Sequence, residues 1–168
     1  STLKTTHFIV NFNTGETSYA ARIADLAEEH YGKIETFLNY SIDKPITITA
    51  SDSKLKFFVS SFSRALHVSS DGNFTVVSEE LYRGIFLFFW SNLKNESTRF
   101  FSNQTGERLL CQSLCNYSLK GFNLNEEMIV RSFLQQSGSS GIQISEIINH
   151  NETVSSAFLS GLFNFLES

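Results

Sequence analysis

The sequence predicts an α+β fold, and three observations carry the prediction. Short runs rich in β-branched and aromatic residues fall in the first half, at His7–Phe12, Pro45–Ala50 and Ala65–Val77. A long amphipathic repeat separates the first two. From Ser78 onward the apolar spacing is helical. The expected order is strand, helix, strand, helix, hairpin, then helices. On this reading residues 1–168 form one domain, with a strand, helix and hairpin portion over 1–78 and a helical portion over 79–168.

Each element has its own signal. His7–Phe12 is a short run with β-branched and aromatic content, as a strand has. Asn13-Thr-Gly-Glu16 then reads as a turn and helix start, with Asn13 and Glu16 at capping-box spacing. From Thr17 to Leu38, Ala20, Ile23, Ala24, Ala27, Tyr31, Ile34, Phe37 and Leu38 recur at helical spacing. The acids between them read as a solvated face. Pro45–Ala50 alternates with period two and opens on Pro45, where a strand tolerates it. Ser51-Asp-Ser53 offers caps for a short helix through about Phe62. Ala65–Ser70 and Phe74–Val77 flank Asp71-Gly72, the signature of a hairpin turn.

Ser78, Glu79 and Glu80 should cap a central helix over Leu81–Leu93, which carries four aromatics between Phe86 and Trp90. Thirteen residues are too few to cross a bilayer, which needs about 20 apolar residues, so burial inside a protein is expected. Lys94–Thr105 is polar and reads as a loop. A second buried helix follows over Gly106–Lys120, with Leu109, Leu110, Leu114, Cys115 and Tyr117 inward and Gly121 as its terminator. Asn123 or Asn125 should cap a helix to about Gln135, and Ser137–Gly141 reads as a flexible connector. Ile142–Ile148 fits a short strand or helical turn. Asn151 or Thr153 then caps a last helix ending near Leu166.

Composition narrows the function classes. With 41% hydrophobic and 18% charged residues the chain suits a folded globule. Seventeen phenylalanines against one tryptophan and one methionine predict a core of phenyl rings. A net charge of −4 without a Lys/Arg cluster argues against a nucleic-acid partner, which needs concentrated positive charge. No stretch reads as a signal peptide or membrane span, and the start at Ser1 suggests a trimmed or mature fragment. Six Asn-x-Ser/Thr triplets, at Asn39, Asn73, Asn95, Asn103, Asn116 and Asn151, favour an exported or extracytoplasmic protein.

The usual carriers of chemistry are missing from the pattern. Cys111 and Cys115 are four apart in a helix, a spacing poor for a disulfide, and read as small buried apolar residues. His7, His30, His67 and His150 are scattered without ligand spacing and read as surface or turn residues. No serine stands in a Gly-x-Ser-x-Gly elbow and no phosphate-cradling glycine loop occurs. Asp52, Glu79, Glu80, Glu126 and Glu127 fall where helix starts are expected, and capping accounts for most of them.

The segment Gly84-Ile-Phe-Leu-Phe-Phe-Trp-Ser-Asn-Leu93, with Leu110-Cys-Gln-Ser-Leu-Cys-Asn-Tyr117 and Ser160-Gly-Leu-Phe-Asn-Phe-Leu166, resembles three helices of the gluzincin-like metallopeptidase domains of the peptidase MA type. In that family a strand–helix–strand–helix unit and an edge hairpin precede a helix bearing His-Glu-x-x-His. Histidines four apart share a helix face, a downstream glutamate completes the zinc shell, and the glutamate beside the first histidine activates water. The resemblance implies a zincin-like fold, with a small mixed sheet and edge hairpin packed on the central helix. It places Phe88 at the first histidine, Phe89 at the catalytic glutamate, Asn92 at the second histidine and Gln112 at the third ligand. A register two residues earlier puts Phe86, Leu87 and Trp90 at the first three places.

The likeness runs over nearly the whole chain but rests on outline and spacing, because every diagnostic residue differs. Phenylalanine has no lone pair to give, and amides are poor zinc ligands. The resemblance therefore implies an inactive pseudopeptidase with no metal or other cofactor, and a binding or structural role. In the active enzymes substrate adds a strand to the edge hairpin. Leu66, Val68, Phe74 and Val76 would line that edge here and take a peptide or protein partner. Two other readings stay open: a structural module of a larger exported protein without a ligand cleft, and an enzyme of unrecognised chemistry.

Overall fold

The computed structural model describes residues 1–51, 59–60, 65–69, 73–93, 105–137 and 152–167, which belong to two compact units, 1–100 and 101–168. The class is mixed α+β. The division expected between residues 78 and 79 falls inside a helix.

Among the described residues of the first unit, five strands form one sheet in the order β1-β2-β3-β5-β4. They are β1 (Thr2–Lys4), β2 (Phe8–Asn11), β3 (Ile46–Ser51), β4 (Val59–Ser60) and β5 (Ala65–Ser69). The central pairs β2/β3 and β3/β5 are parallel, and the outer strands β1 and β4 run antiparallel to their neighbours. Register aligns Val10, Ile48 and Leu66 side by side, and likewise Ala50 and Val68. All five are buried, while Ile9, Thr47, Thr49 and His67 between them are half-buried. That alternation marks a sheet with one face against a core. Strand β1 escaped the sequence reading because three residues show no period. Its end is tied by Ser1, whose carbonyl accepts from the Phe12 N–H at 3.0 Å and whose amino group donates to the Phe12 carbonyl at 3.0 Å.

Helix α1 (Thr17–Leu38) has the bounds its periodicity predicts and connects β2 to its parallel neighbour β3. The capping box expected at its start does not form. The Glu16 N–H takes the Asn13 carbonyl at 3.2 Å instead, closing a turn in which Gly15 adopts φ +103°. At the other end Asn39 terminates the helix in the left-handed region with φ 48°, its N–H donating to the Glu35 carbonyl. Asparagine tolerates that conformation better than most residues.

Helix α2 (Phe74–Leu93) begins well before the expected Ser78 cap. Phe74-Thr-Val-Val reads as a strand by composition, yet it forms the first helical turn. Asn73 caps it, its Oδ1 accepting from the Thr75 N–H at 3.0 Å and its carbonyl from the Val77 N–H at 3.0 Å. Tertiary contacts reward the helix: the Arg22 guanidinium lies 4.2 Å from the Phe74 ring centre, and Val77 is buried. Contacts between α1 and α2 advance together, from Arg22–Phe74 through His30–Tyr82 to Phe37–Phe86, so the helices run parallel.

The predicted hairpin over Ala65–Val77 is therefore corrected. The antiparallel partner of β5 lies upstream, in Val59 and Ser60, and these two residues also replace part of the helix expected through Phe62. Residues 52–58 and 61–64, the Asp71-Gly72 turn, the loop over 94–104, the connector beyond Ser137, Ile142–Ile148, His150 and the Asn151 cap lie outside the described residues.

The second unit contains α3 (Thr105–Lys120), α4 (Leu124–Ser137) and α5 (Glu152–Glu167). Gly121 ends α3 with φ +67°, its N–H donating to the Tyr117 carbonyl at 2.7 Å. Of the two candidate caps for α4, Asn123 serves in a reciprocal box. Its Oδ1 accepts from the Glu126 N–H at 3.1 Å, and the Glu126 carboxylate accepts from the Asn123 N–H at 3.2 Å. Tyr117 on α3 donates to the Glu167 carboxylate on α5 at 2.7 Å, and Phe133 on α4 meets Phe158 edge-on at 5.4 Å. Small buried residues, Ser155, Ala157 and Ser160 on α5 with Cys111, Ser113 and Cys115 on α3, are suited to close helix approach. Leu110, expected inside, is exposed.

Candidate functional site

The candidate site is the second half of α2, where the buried residues form two stripes. One contains Tyr82, Phe86 and Phe89 and meets α1; the other contains Val77, Leu81, Gly84 and Phe88. Spacings of three and four put each set on one face. Because both faces are buried, the segment lacks the polar side of an ordinary surface helix, which explains its unbroken apolar run.

Of the four residues at the proposed register, the two phenylalanines are buried packing groups. Phe89 is fully buried, its ring centre 4.9 Å from that of Tyr31 and 6.3 Å from that of Tyr40. Phe88 is 5% exposed. Asn92 shares the Phe88 face and is half-buried, its Nδ2 donating to the Phe88 carbonyl at 2.7 Å within the same helix. In the alternative register, Phe86 is buried and 6.5 Å from both the Tyr82 and Trp90 ring centres, while Leu87 and Trp90 are half-buried. Gln112 is exposed on α3, in the other unit.

The proposed peptide edge is corrected in its residues. Leu66 and Val68 are buried, and β5 lies between β3 and β4 rather than at the border. Phe74 and Val76 belong to α2 and cannot extend a sheet. Among the described residues the sheet ends at β4 on this side.

Two clusters escaped the sequence reading. His30, expected at the surface, is 5% exposed between α1 and α2. Its Nε2 lies 3.1 Å from both the carbonyl and the hydroxyl of Ser78, its ring meets Tyr82 edge-on, and its Nδ1 is buried without a hydrogen-bond partner among the described residues. Burial, reinforced by the Lys33 charge, pushes the imidazole below its ordinary pKa and keeps it neutral. Helical phase was the available signal, since residue 30 falls on the stripe of Ala27 and Ile34.

The second cluster corrects the reading of Glu28 as solvated. Its Oε2 lies 2.6 Å from His7 Nδ1 and its Oε1 accepts from the His7 N–H at 2.8 Å. Burial raises the Glu28 pKa, but hydrogen bonds from Thr5 and His7 and the His7 charge outweigh it, leaving the carboxyl below its ordinary value. The His7 ring stacks on Tyr31 at 3.8 Å, and the Tyr31 hydroxyl accepts from the Ile42 N–H at 2.8 Å while donating to the Ile42 carbonyl at 3.2 Å. This chain of contacts ties the start of β2 to α1 and to the segment before β3. No sequence pattern marks it, because its members are far apart in the chain.

Cys111 and Cys115 are both buried and are not joined in a disulfide. Among the described residues no group of three or more His, Cys, Asp or Glu side chains could hold a metal ion. No helix among them is long and apolar enough to cross a membrane. In comparisons with known proteins, no family model, curated protein or solved structure matches the chain.

Proposed function

We propose that this chain is a catalytically inactive, metallopeptidase-like domain whose former active-site helix has become a packing element, leaving it a structural or binding role. One observation carries the reading. Phe89, at the place where the resembled enzymes hold the water-activating glutamate, is fully buried against Tyr31 and Tyr40. Two features support it. Among the described residues the element order runs two strands, helix, strand, antiparallel outer pair, helix before α3. Asn92 Nδ2 also donates to the Phe88 carbonyl of its own helix. A ring at this place contributes about 1.5–3 kcal/mol of burial and offers a metal nothing.

Metal analysis of protein purified without added zinc, paired with a peptidase assay, tests the proposal. The expected result is zinc far below one equivalent and no hydrolysis. One equivalent of zinc, lost to a chelator together with hydrolysis, would overturn it.

A binding role is favoured by the position of β4. Among the described residues it borders the sheet, and it runs antiparallel to β5, the arrangement to which an extended peptide adds by backbone pairing without a metal. Binding of an array of extended peptides, unchanged by chelator, is the outcome this role requires. A silent array leaves the structural role in its place.

A further inference from the structure

Six Asn-x-Ser/Thr triplets are about twice the number this composition yields on average. Thirteen asparagines and 37 serines and threonines in 168 residues give about three. None is blocked by proline, since Pro45 is the only one in the chain. Three of the six acceptors lie among the described residues, and they differ in kind. Asn39 and Asn73 are exposed and lie just outside helices, whereas Asn116 is half-buried within α3.

The two exposed acceptors can carry a large substituent without loss of the structure around them. Asn39 ends α1 through its backbone, with the left-handed φ of 48° and an N–H bonded to the Glu35 carbonyl. Asn73 caps α2 with Oδ1 and its own carbonyl, so the cap does not use Nδ2. A glycosylated amide keeps its carbonyl oxygen and therefore keeps this cap. Because α1 and α2 run parallel, Asn39 and Asn73 stand at opposite ends of the helix pair.

We propose that Asn39 and Asn73 are N-glycan acceptors and that Asn116 is not. The donor class is a lipid-linked oligosaccharide diphosphate. Asn Nδ2 attacks the anomeric carbon, a C–N bond forms, and the C–O bond to the diphosphate breaks. The lipid diphosphate leaves, and the Nδ2 proton passes to a base of the transferase. This assignment is independent of the proposed loss of catalysis.

The test is secretion of the full chain from a eukaryotic host, followed by enzymatic deglycosylation in heavy-oxygen water and peptide mapping. Labelled Asn-to-Asp conversion is expected at residues 39 and 73 and not at 116. N39Q and T75A should each remove one glycan from the intact mass; T75A does so with the Asn73 cap in place. Absence of label at residue 39 or 73 in the secreted, folded chain overturns the assignment of that site. Label at residue 116 overturns the distinction drawn from burial.

Discussion

Phe89→Ala is the substitution that separates a packing element from the wall of an open cleft. The ring is 0% exposed, with the Tyr31 and Tyr40 ring centres 4.9 and 6.3 Å away. Losing its burial costs about 1.5–3 kcal/mol. Loss of the aromatic contacts adds about 0.5–1.5 kcal/mol, and the unfilled volume raises the total toward the 3–5 kcal/mol typical of buried Phe-to-Ala changes. Domains are stable by only about 5–15 kcal/mol, so the change removes a large fraction of the margin. The assay is urea unfolding followed by Trp90 fluorescence. Trp90 is the only tryptophan, and it lies on α2 with its ring centre 6.5 Å from that of Phe86, so it reports on this helix. The midpoint should fall sharply with an unchanged slope. Phe37→Ala, at a half-buried ring on α1, should cost clearly less. A loss below about 1 kcal/mol for Phe89→Ala would refute the core placement, because no well-packed phenyl ring is removed so cheaply.

Other outcomes follow from the two clusters and the caps. Neutral His30 is favoured in the folded chain, so the unfolded chain takes up its proton first. The associated stability is present above about pH 6.5 and declines as pH falls through that value. The Trp90-monitored midpoint should drop between pH 7.5 and about 5.5, and His30→Gln should flatten that drop; an equal drop in the variant would exclude His30 as its source. Glu28, held below its ordinary pKa, adds a separate loss at lower pH, as the carboxylate is protonated. Tyr31→Phe keeps the stack on His7 but strands the Ile42 N–H and carbonyl, costing about 1–3 kcal/mol in the same unfolding assay. Asn123→Ala removes one arm of the capping box on α4 and should cost about 1 kcal/mol, read as a loss of thermal stability by far-ultraviolet circular dichroism.

Local chemistry, by itself, determined much of the architecture. The apolar repeat from Thr17 to Leu38 fixed α1, because one continuous face must meet the core at period 3.6. Gly121 and the Asn123–Glu126 pair bounded α3 and α4, because helix ends need partners that only a few residues supply. The aromatic run after Gly84 announced a buried helix, which is what α2 is.

Tertiary structure decided the rest. Phe74-Thr-Val-Val has the composition of a strand, but an Asn73 cap, the Arg22 guanidinium and the burial of Val77 make it helical. The antiparallel partner of β5 was decided by pairing across the sheet, which local sequence does not encode. His30 and Glu28 look like surface residues when read singly. Their partners, Ser78 and His7, are 48 and 21 residues away, so only the packing of α1 against α2 and the start of β2 brings them together. At the candidate site the sequence showed that ligand side chains are missing from the proposed register. Only the packed structure showed that the Phe89 ring is fully buried, with the Tyr31 and Tyr40 ring centres 4.9 and 6.3 Å away, because burial belongs to the neighbours as much as to the residue.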